Sequence, residues 1–398
     1  MKTNFSDTKT LFNLPHGVIY LDGNSLGPLP KAAVQKVSRM MESEWGQMLI
    51  TGWNNAGWMQ QPVSVGDRIA RLIGAERGHV VVGDTLSIKV YQALASALEM
   101  RPDRRIILSD SGNFPSDLYM AEGLIKSLNA GHDLRVVAPE DIAKNITDEV
   151  AVTLITEVDY RTGRRHDMRG LTAKAHAVGA LTVWDLAHST GAFEVDLMGC
   201  GADFAVGCTY KYLNGGPGSP GFIYVAPRHI DRARPALSGW LGHAAPFAFE
   251  PSYAAGEGIE RMRVGTPSVI AMASLAAALD IWDQVDMADL RERSIELSTL
   301  FIETVEKNCP MLTLASPRDP AARGSQVSFH FGHGYAVMQA LIERGVIGDF
   351  RAPDIMRFGF TPLYLDRDDV LAGCEILTEI MQDNLWDKSE FKIRARVT

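Results

Sequence analysis

Thr209–Tyr210–Lys211–Tyr212 runs directly into Leu213–Asn214–Gly215–Gly216–Pro217–Gly218, and the apolar stretch Phe204–Val206 precedes it. A lysine leaving a buried strand loses hydration, which lowers its pKa and makes the amine a nucleophile. The glycines let the backbone turn sharply and pass close to a ligand. A lone lysine before a loop is ordinarily a solvated surface residue, so the case for Lys211 rests on its companions. Asp185 ends the apolar run Leu181–Trp184, in Val183–Trp184–Asp185–Leu186–Ala187–His188. A buried carboxylate there could hold a protonated heteroaromatic nitrogen and keep that ring electron-withdrawing. Capping a following helix is the plainer reading of Asp185. His188 reads equally as a structural histidine or as a ligand contact.

Two further segments offer complementary chemistry. Asp84–Thr85–Leu86–Ser87–Ile88 looks like a strand-to-helix turn. The Leu86 and Ser87 amides, with the Ser87 hydroxyl, could hold an anion at a helix N-terminus, or could simply cap the helix. Neither GxGxxG nor GxxxxGK[ST] occurs there, so dinucleotide and P-loop readings lack support. In Asn113–Phe114–Pro115–Ser116–Asp117 the Phe114 ring could stack on a flat ligand. Asp117 either supports Asp185 or favours the start of a helix.

The elements that must position these residues are visible as short apolar runs between helical patterns. The runs are Val80–Val82, Ile106–Leu108, Leu134–Val137, Val152–Ile155, Leu181–Trp184, Phe204–Val206 and Phe222–Val225. Such alternation predicts an α/β fold with a mostly parallel, seven-stranded sheet covered on both faces. Ser87, Asp110, Thr156, Asp185 and Lys211 all follow strand ends, where open α/β sheets collect ligands. After Pro267 the pattern changes to a long helical stretch towards Lys307, broken near Asp286. Strand-like Gln326–Phe331 and Ile355–Phe360 and a final helix over Asp366–Asn384 follow. The expected organisation is an N-terminal segment (1–50) packing with a small C-terminal α+β domain (268–398), and a large α/β domain (51–267) between them.

Composition narrows the function classes. A net charge of −9 over 398 residues disfavours a nucleic-acid surface. The basic pairs Arg104–Arg105 and Arg164–Arg165 stand isolated and are expected in solvent. Cys200, Cys208, Cys309 and Cys374 form no CxxC pair, which argues against disulfides and a structural metal. Met1–Leu14 lacks the apolar core of a signal peptide, and the apolar run Val269–Leu279 is too short to span a bilayer. A cytoplasmic protein without membrane, metal or nucleic-acid partners is the expectation.

As a set, the motifs resemble the kynureninases, which are fold-type I pyridoxal-phosphate enzymes. The matching segments are Tyr20–Leu21–Asp22–Gly23–Asn24–Ser25–Leu26–Gly27, Phe114–Pro115–Ser116–Asp117, Tyr160–Arg161–Thr162–Gly163 and Trp184–Asp185–Leu186–Ala187–His188–Ser189. They continue with Tyr210–Lys211–Tyr212–Leu213–Asn214, Gly239–Trp240–Leu241–Gly242–His243 and Arg357–Phe358–Gly359–Phe360–Thr361–Pro362–Leu363–Tyr364. The resemblance implies pyridoxal 5′-phosphate attached at Lys211, its ring nitrogen on Asp185, and Phe114 stacked on the ring with Asp117 and His188 nearby. It further implies Leu86, Ser87 and Tyr210 at the phosphate and Thr156 at the cofactor edge. Trp240 and Thr266 would reach the cofactor of a second subunit in a homodimer with shared sites, and Arg357 would clamp the substrate's α-carboxylate. Two positions depart from the family's pattern: Ser87, where threonine is commoner, and Thr266, where some relatives have asparagine.

The activity implied is hydrolytic Cβ–Cγ cleavage of L-kynurenine to anthranilate and L-alanine in tryptophan catabolism. The Thr266 departure leaves the preference between kynurenine and 3-hydroxykynurenine open. Lys211 would remove the α-proton, and Tyr210 is the candidate proton donor on the leaving side. The competing readings are another enzyme of this fold, an aminotransferase or cysteine desulfurase, and a non-catalytic pyridoxal-phosphate-binding protein. A desulfurase needs a reactive thiol in an exposed, electropositive loop, and none of the four cysteines sits in one.

Overall fold

A computed structural model describes residues 2–394. Met1 and residues 395–398, the outer ends of the first and last expected segments, lie outside the described residues. The central sheet comprises β1 (Val80–Val82), β2 (Ile106–Asp110), β3 (Asp133–Val137), β4 (Val150–Thr156), β5 (Leu181–Asp185), β6 (Phe204–Gly207) and β7 (Phe222–Val225). Its order is β3-β2-β4-β5-β6-β7-β1. Only β7 runs against the others, pairing antiparallel with both β6 and β1.

The strands β4 and β5 are buried along their whole length, as a sheet covered on both faces requires. Leu181 and Val183 enter one apolar cluster and Trp184 the other, following the two-residue alternation of a strand. Helices α1 (Leu86–Glu99), α2 (Pro115–Leu128) and α3 (Met168–Ala177) are among those between strands. At the sheet's carboxyl edge, β4 and β5 end side by side, with Thr156 and Asp185 as register partners.

Beyond Pro267, α4 (Val269–Trp282) and α5 (Met287–Asn308) are separated at Asp286, whose side chain caps α5 by accepting from the Ala288 and Asp289 amides. The expected break at Asp286 therefore has a capping cause. A second sheet follows, made of β8 (Thr313–Leu314), β9 (Gln326–His330), β10 (Asp349–Arg351) and β11 (Ile355–Gly359) in the order β8-β9-β11-β10, all antiparallel. Helices α6 (Gly334–Glu343) and α7 (Arg367–Gln382) cover it.

The N-terminal segment touches both parts. Ile19–Tyr20 pairs in parallel with Val346–Ile347, and the Gly359 amide donates to the Leu21 carbonyl at 2.7 Å. Six residues later the Gly27 amide donates to the Tyr210 carbonyl at 2.8 Å. A Cβ on Gly27 would lie 2.4 Å from the Lys211 carbonyl, so only glycine fits this approach.

One surface expectation is corrected. Arg104, Arg164 and Arg165 are half-buried, and of the two basic pairs only Arg105 is exposed. Arg165 lies 4.2 Å from the Phe193 ring centroid and pairs with buried Glu157 at 3.0 Å. A guanidinium can cover an aromatic face while keeping an ionic partner, which an isolated basic pair in sequence conceals. Among the described residues no helix is long and apolar enough to cross a membrane, and no three His, Cys, Asp or Glu side chains group as metal ligands.

Candidate functional site

A cavity of about 250 Å³ opens at the carboxyl edge of the sheet, lined by Asp185, His188 and Lys211 from beyond the strand ends and by Ser87, Phe114, Ser116 and Asp117 from two helix starts. Strand geometry explains the first group. Asp185 is the last residue of β5, and its Oδ1 accepts from the Ala187 amide at 2.8 Å, which turns the chain so that His188 follows into the site. No helix begins there, so Asp185 does not cap one. Thr156 Oγ1 lies 3.4 Å from Asp185 Oδ2 and donates to Asn113 Oδ1 at 2.5 Å. Asn113 Oδ1 also accepts from the Phe114 amide at 2.7 Å, so one side chain ties the end of β4 to the aromatic residue.

The opposite wall consists of two helix N-termini. Thr85 caps α1, and Phe114 precedes Pro115 at the first turn of α2. Ser87 Oγ and Ser116 Oγ meet at 3.0 Å, which brings two hydroxyls and two sets of unpaired amides together. Gly221 presses against this turn: a Cβ there would sit 2.8 Å from the Leu86 nitrogen. The Phe114 ring stays 41% exposed, leaving a face open towards the cavity, and its edge contact with Tyr160 fixes its tilt.

Lys211 Nζ lies 2.9 Å from His188 Nε2 and 6.0 Å from the centre of the Phe114 ring. Burial lowers the Lys211 pKa. Burial, then the Lys211 charge, keeps His188 well below its ordinary range and therefore neutral. Both carboxyls are pushed up by burial; for Asp117 the neighbouring Asp185 charge adds to the effect, whereas Lys211 and the Ala187 amide oppose it at Asp185. Asp117 is raised the further of the two. The Cys208 neighbour, then burial, pushes the Tyr210 phenol up, so it remains a proton donor.

Asp117 Oδ2 and His188 Nδ1 are buried without protein hydrogen-bond partners. A flat, cationic heteroaromatic ring bearing a phosphate fits this set of groups: a buried carboxyl, an open aromatic face, an amine and a double helix N-terminus.

The remaining sequence-derived residues lie elsewhere. Arg357 on β11 is buried and does not line this cavity, but its charge acts on both Lys211 and His188. Trp240 and Thr266 do not line the cavity; both are exposed, and the Trp240 indole donates to the Pro246 carbonyl at 2.5 Å. Sequence reasoning missed Ser116, Asn113, Ser25 and Asp349 as site residues. Ser116 carried a signal, since it follows the first-turn proline of a helix directly after Phe114.

Residues 290–377 match the family described as the kynureninase C-terminal domain. A curated kynureninase from Pseudomonas fluorescens is 50% identical over 394 residues, spanning 97% of this chain and 95% of that protein. Among solved structures, a cysteine desulfurase from Thermococcus onnurineus superposes with a TM-score of 0.81 at 19% identity, covering 96% of this chain and 99% of that one. A C-DES variant with glycine covalently linked to its PLP cofactor superposes at 0.79 and 17% identity, covering 92% and 97%. These two likenesses concern the fold, which is that of the fold-type I pyridoxal-phosphate enzymes. Identity of one residue in two, sustained over nearly the whole length of both chains, places this protein in the kynureninase family.

Proposed function

We propose that this chain hydrolyses the Cβ–Cγ bond of L-kynurenine to anthranilate and L-alanine, with pyridoxal 5′-phosphate held between Lys211 and the N-termini of α1 and α2. The observation that carries the reading is the Lys211–His188–Asp185–Asp117 cluster facing two serine hydroxyls across one cavity. When bound, the cofactor supplies an electron sink for the electron pair released at substrate carbon.

The chain's own groups do the rest. The Leu86 amide and the Ser87 and Ser116 hydroxyls bind the phosphate, aided by the dipoles of α1 and α2. Asp185 holds the ring nitrogen's proton, and Thr156, fixed by Asn113, keeps that carboxyl group aligned. Phe114 presents its face to the ring. The Lys211 amine attaches the cofactor and, once released, takes the proton from the substrate Cα. Neutral His188 accepts from the Lys211 ammonium at Nε2 and adds no competing charge. Tyr210 supplies a proton to the departing side of the substrate, and Arg357 holds the α-carboxylate.

Trp240 and Thr266 act on the cofactor of a second copy in a homodimer. Support comes from the exposure of Thr266, and of Trp240 beside Ile50, Phe247 and Phe249, large apolar side chains that a lone subunit leaves in water. A desulfurase reading fails on chemistry, because burial raises the pKa of all four cysteine thiols. The test is incubation of the cofactor-loaded protein with L-kynurenine. Anthranilate fluorescence and alanine should appear together, and the absence of both would overturn the assignment.

A further inference from the structure

The small sheet brings a second charged cluster to the site. Asp349 on β10 and Arg357 on β11 are direct register partners, so their side chains leave the same face of the sheet. Arg357 Nη2 donates to Asp349 Oδ2 and, at 2.9 Å, to Ser25 Oγ; Ser25 Oγ in turn donates to the same Asp349 oxygen at 2.8 Å. Arg357 Nη1 donates to the Tyr160 carbonyl at 2.5 Å. The other carboxylate oxygen, Oδ1, accepts from Arg351 Nη1 and from the Phe350 amide, each at 2.6 Å. Asp349 is 2% and Arg357 1% exposed.

We propose that Asp349 is a positioning residue for the substrate: it fixes the plane of the Arg357 guanidinium, whose buried Nε has no protein partner, so that the donor left free meets the α-carboxylate. The proposal rests on the reading of Arg357 as the carboxylate clamp. The N–H groups of a guanidinium all lie in one plane, so each donates at full strength only to an acceptor in that plane. Here that plane is set from three directions, by Asp349 on β10, Ser25 in the N-terminal segment and the Tyr160 carbonyl. Two of these anchors are neutral, so Asp349 alone supplies an ionic restraint.

Charge balance points the same way. Asp349 is shared by Arg351 and Arg357, and a substrate carboxylate brings a second negative charge to these two guanidinium groups. Asp22, close enough for its charge to act on Arg351 and Arg357, carries only part of a negative charge at neutral pH and loses it below. Burial, and secondly the Asp349 charge, pushes its carboxyl up to about 7. A carboxylate held by β-strands of the scaffold also orients its partner more tightly than one on a loop. The plain alternative is an ion pair that only staples β10 to β11, and the two roles differ in what a substitution does to catalysis.

The experiment uses cofactor-loaded Asp349→Asn, which keeps the size of the side chain and removes its charge. KM for L-kynurenine should rise about 10- to 100-fold, as expected for a misaligned positioning group, while kcat changes less than about threefold. The dissociation constant of L-alanine, which carries the same α-carboxylate, should rise in parallel. That of the decarboxylated amine analogue of kynurenine should not move. Asp349→Glu should recover part of the loss. Ser25→Ala, which removes the bridging hydroxyl and keeps all charges, should shift KM in the same direction by a smaller factor, and it serves if Asp349→Asn does not fold. An unchanged KM in a folded Asp349→Asn, or equal losses for alanine and the carboxylate-free amine, overturns the proposal. Arg357→Ala separates the two levels: if it leaves kcat/KM unchanged the clamp reading itself is wrong, whereas a large loss there with a silent Asp349→Asn refutes the role of Asp349 alone.

Discussion

Lys211 Nζ makes one hydrogen bond, to His188 Nε2 at 2.9 Å, whereas Nζ of the more deeply buried Lys89 is tied by three acceptors: Asp84 Oδ2, Gln92 Oε1 and the Met262 carbonyl. Burial lowers the pKa of both lysines, yet only one of them is free to react. Borohydride reduction of the yellow, cofactor-loaded protein should therefore fix the label on the peptide containing Lys211. Mass spectrometry that located the label on Lys89 would reverse the assignment.

Tyr210→Phe keeps the ring and removes the proton that the raised pKa holds on the phenol. Cofactor binding should persist, and turnover should fall about 10²- to 10⁴-fold, the range for loss of a general acid–base group. Exchange of the substrate α-proton with deuterated solvent should stay fast. If that exchange slowed as much as turnover did, Tyr210 would belong to the Lys211 step instead.

The exposed positions of Trp240 and Thr266 lead to a complementation test of the proposed homodimer. Lys211→Ala and Trp240→Arg are each expected to be inactive. Unfolded and refolded together, they should recover activity approaching about a quarter of the wild-type value, because random pairing makes half the dimers mixed and each mixed dimer has one intact site. Confirmed mixed dimers with no activity would place Trp240 in its own subunit's site.

Acid stability should depend on Asp203. Burial by itself raises this carboxyl, but hydrogen bonds from His176 and His229 and the charge of Arg228 outweigh it and hold the pKa well below the ordinary carboxylate range. A depressed folded-state pKa adds stability above the unfolded value, about 3.9, and that stability is lost as pH falls below it. Asp203→Asn should cost about 3–5 kcal/mol at pH 7, the usual loss when one member of a buried charged group is removed. The difference from wild type should shrink as the pH is lowered through 4 towards 2, read by urea denaturation. A constant difference across that range would contradict the ionic role.

Much of the large sheet was legible because each strand is a short apolar run, and polar residues follow several of the parallel runs at the carboxyl edge. Asp185 and Thr156 stand at such strand ends and emerge as register partners, whereas Lys211 was marked also by the glycine-rich turn that follows it. Asp349 and Ser25 left no comparable trace. They come from segments far apart in the chain and meet Arg357 only through an antiparallel register and a crossing N-terminal segment, neither of which has a local pattern. Asn113 was hidden for a different reason. Its side chain joins Thr156 to the Phe114 amide, a contact that depends on how β4 and α2 are spaced.

Residues 19–27 have a mechanical consequence. Their Leu21 carbonyl is fastened to the small sheet at Gly359, two residues from Arg357, and their Gly27 amide is fastened to Tyr210, next to Lys211. The segment is a strut between the group that grips the substrate and the group that reacts with it, independent of α4. Because its far end admits nothing larger than glycine, it has almost no slack. The distance from clamp to amine is gauged by a stretch of chain that contributes no reacting atom, and a protein cut within it would keep every catalytic side chain while losing their spacing.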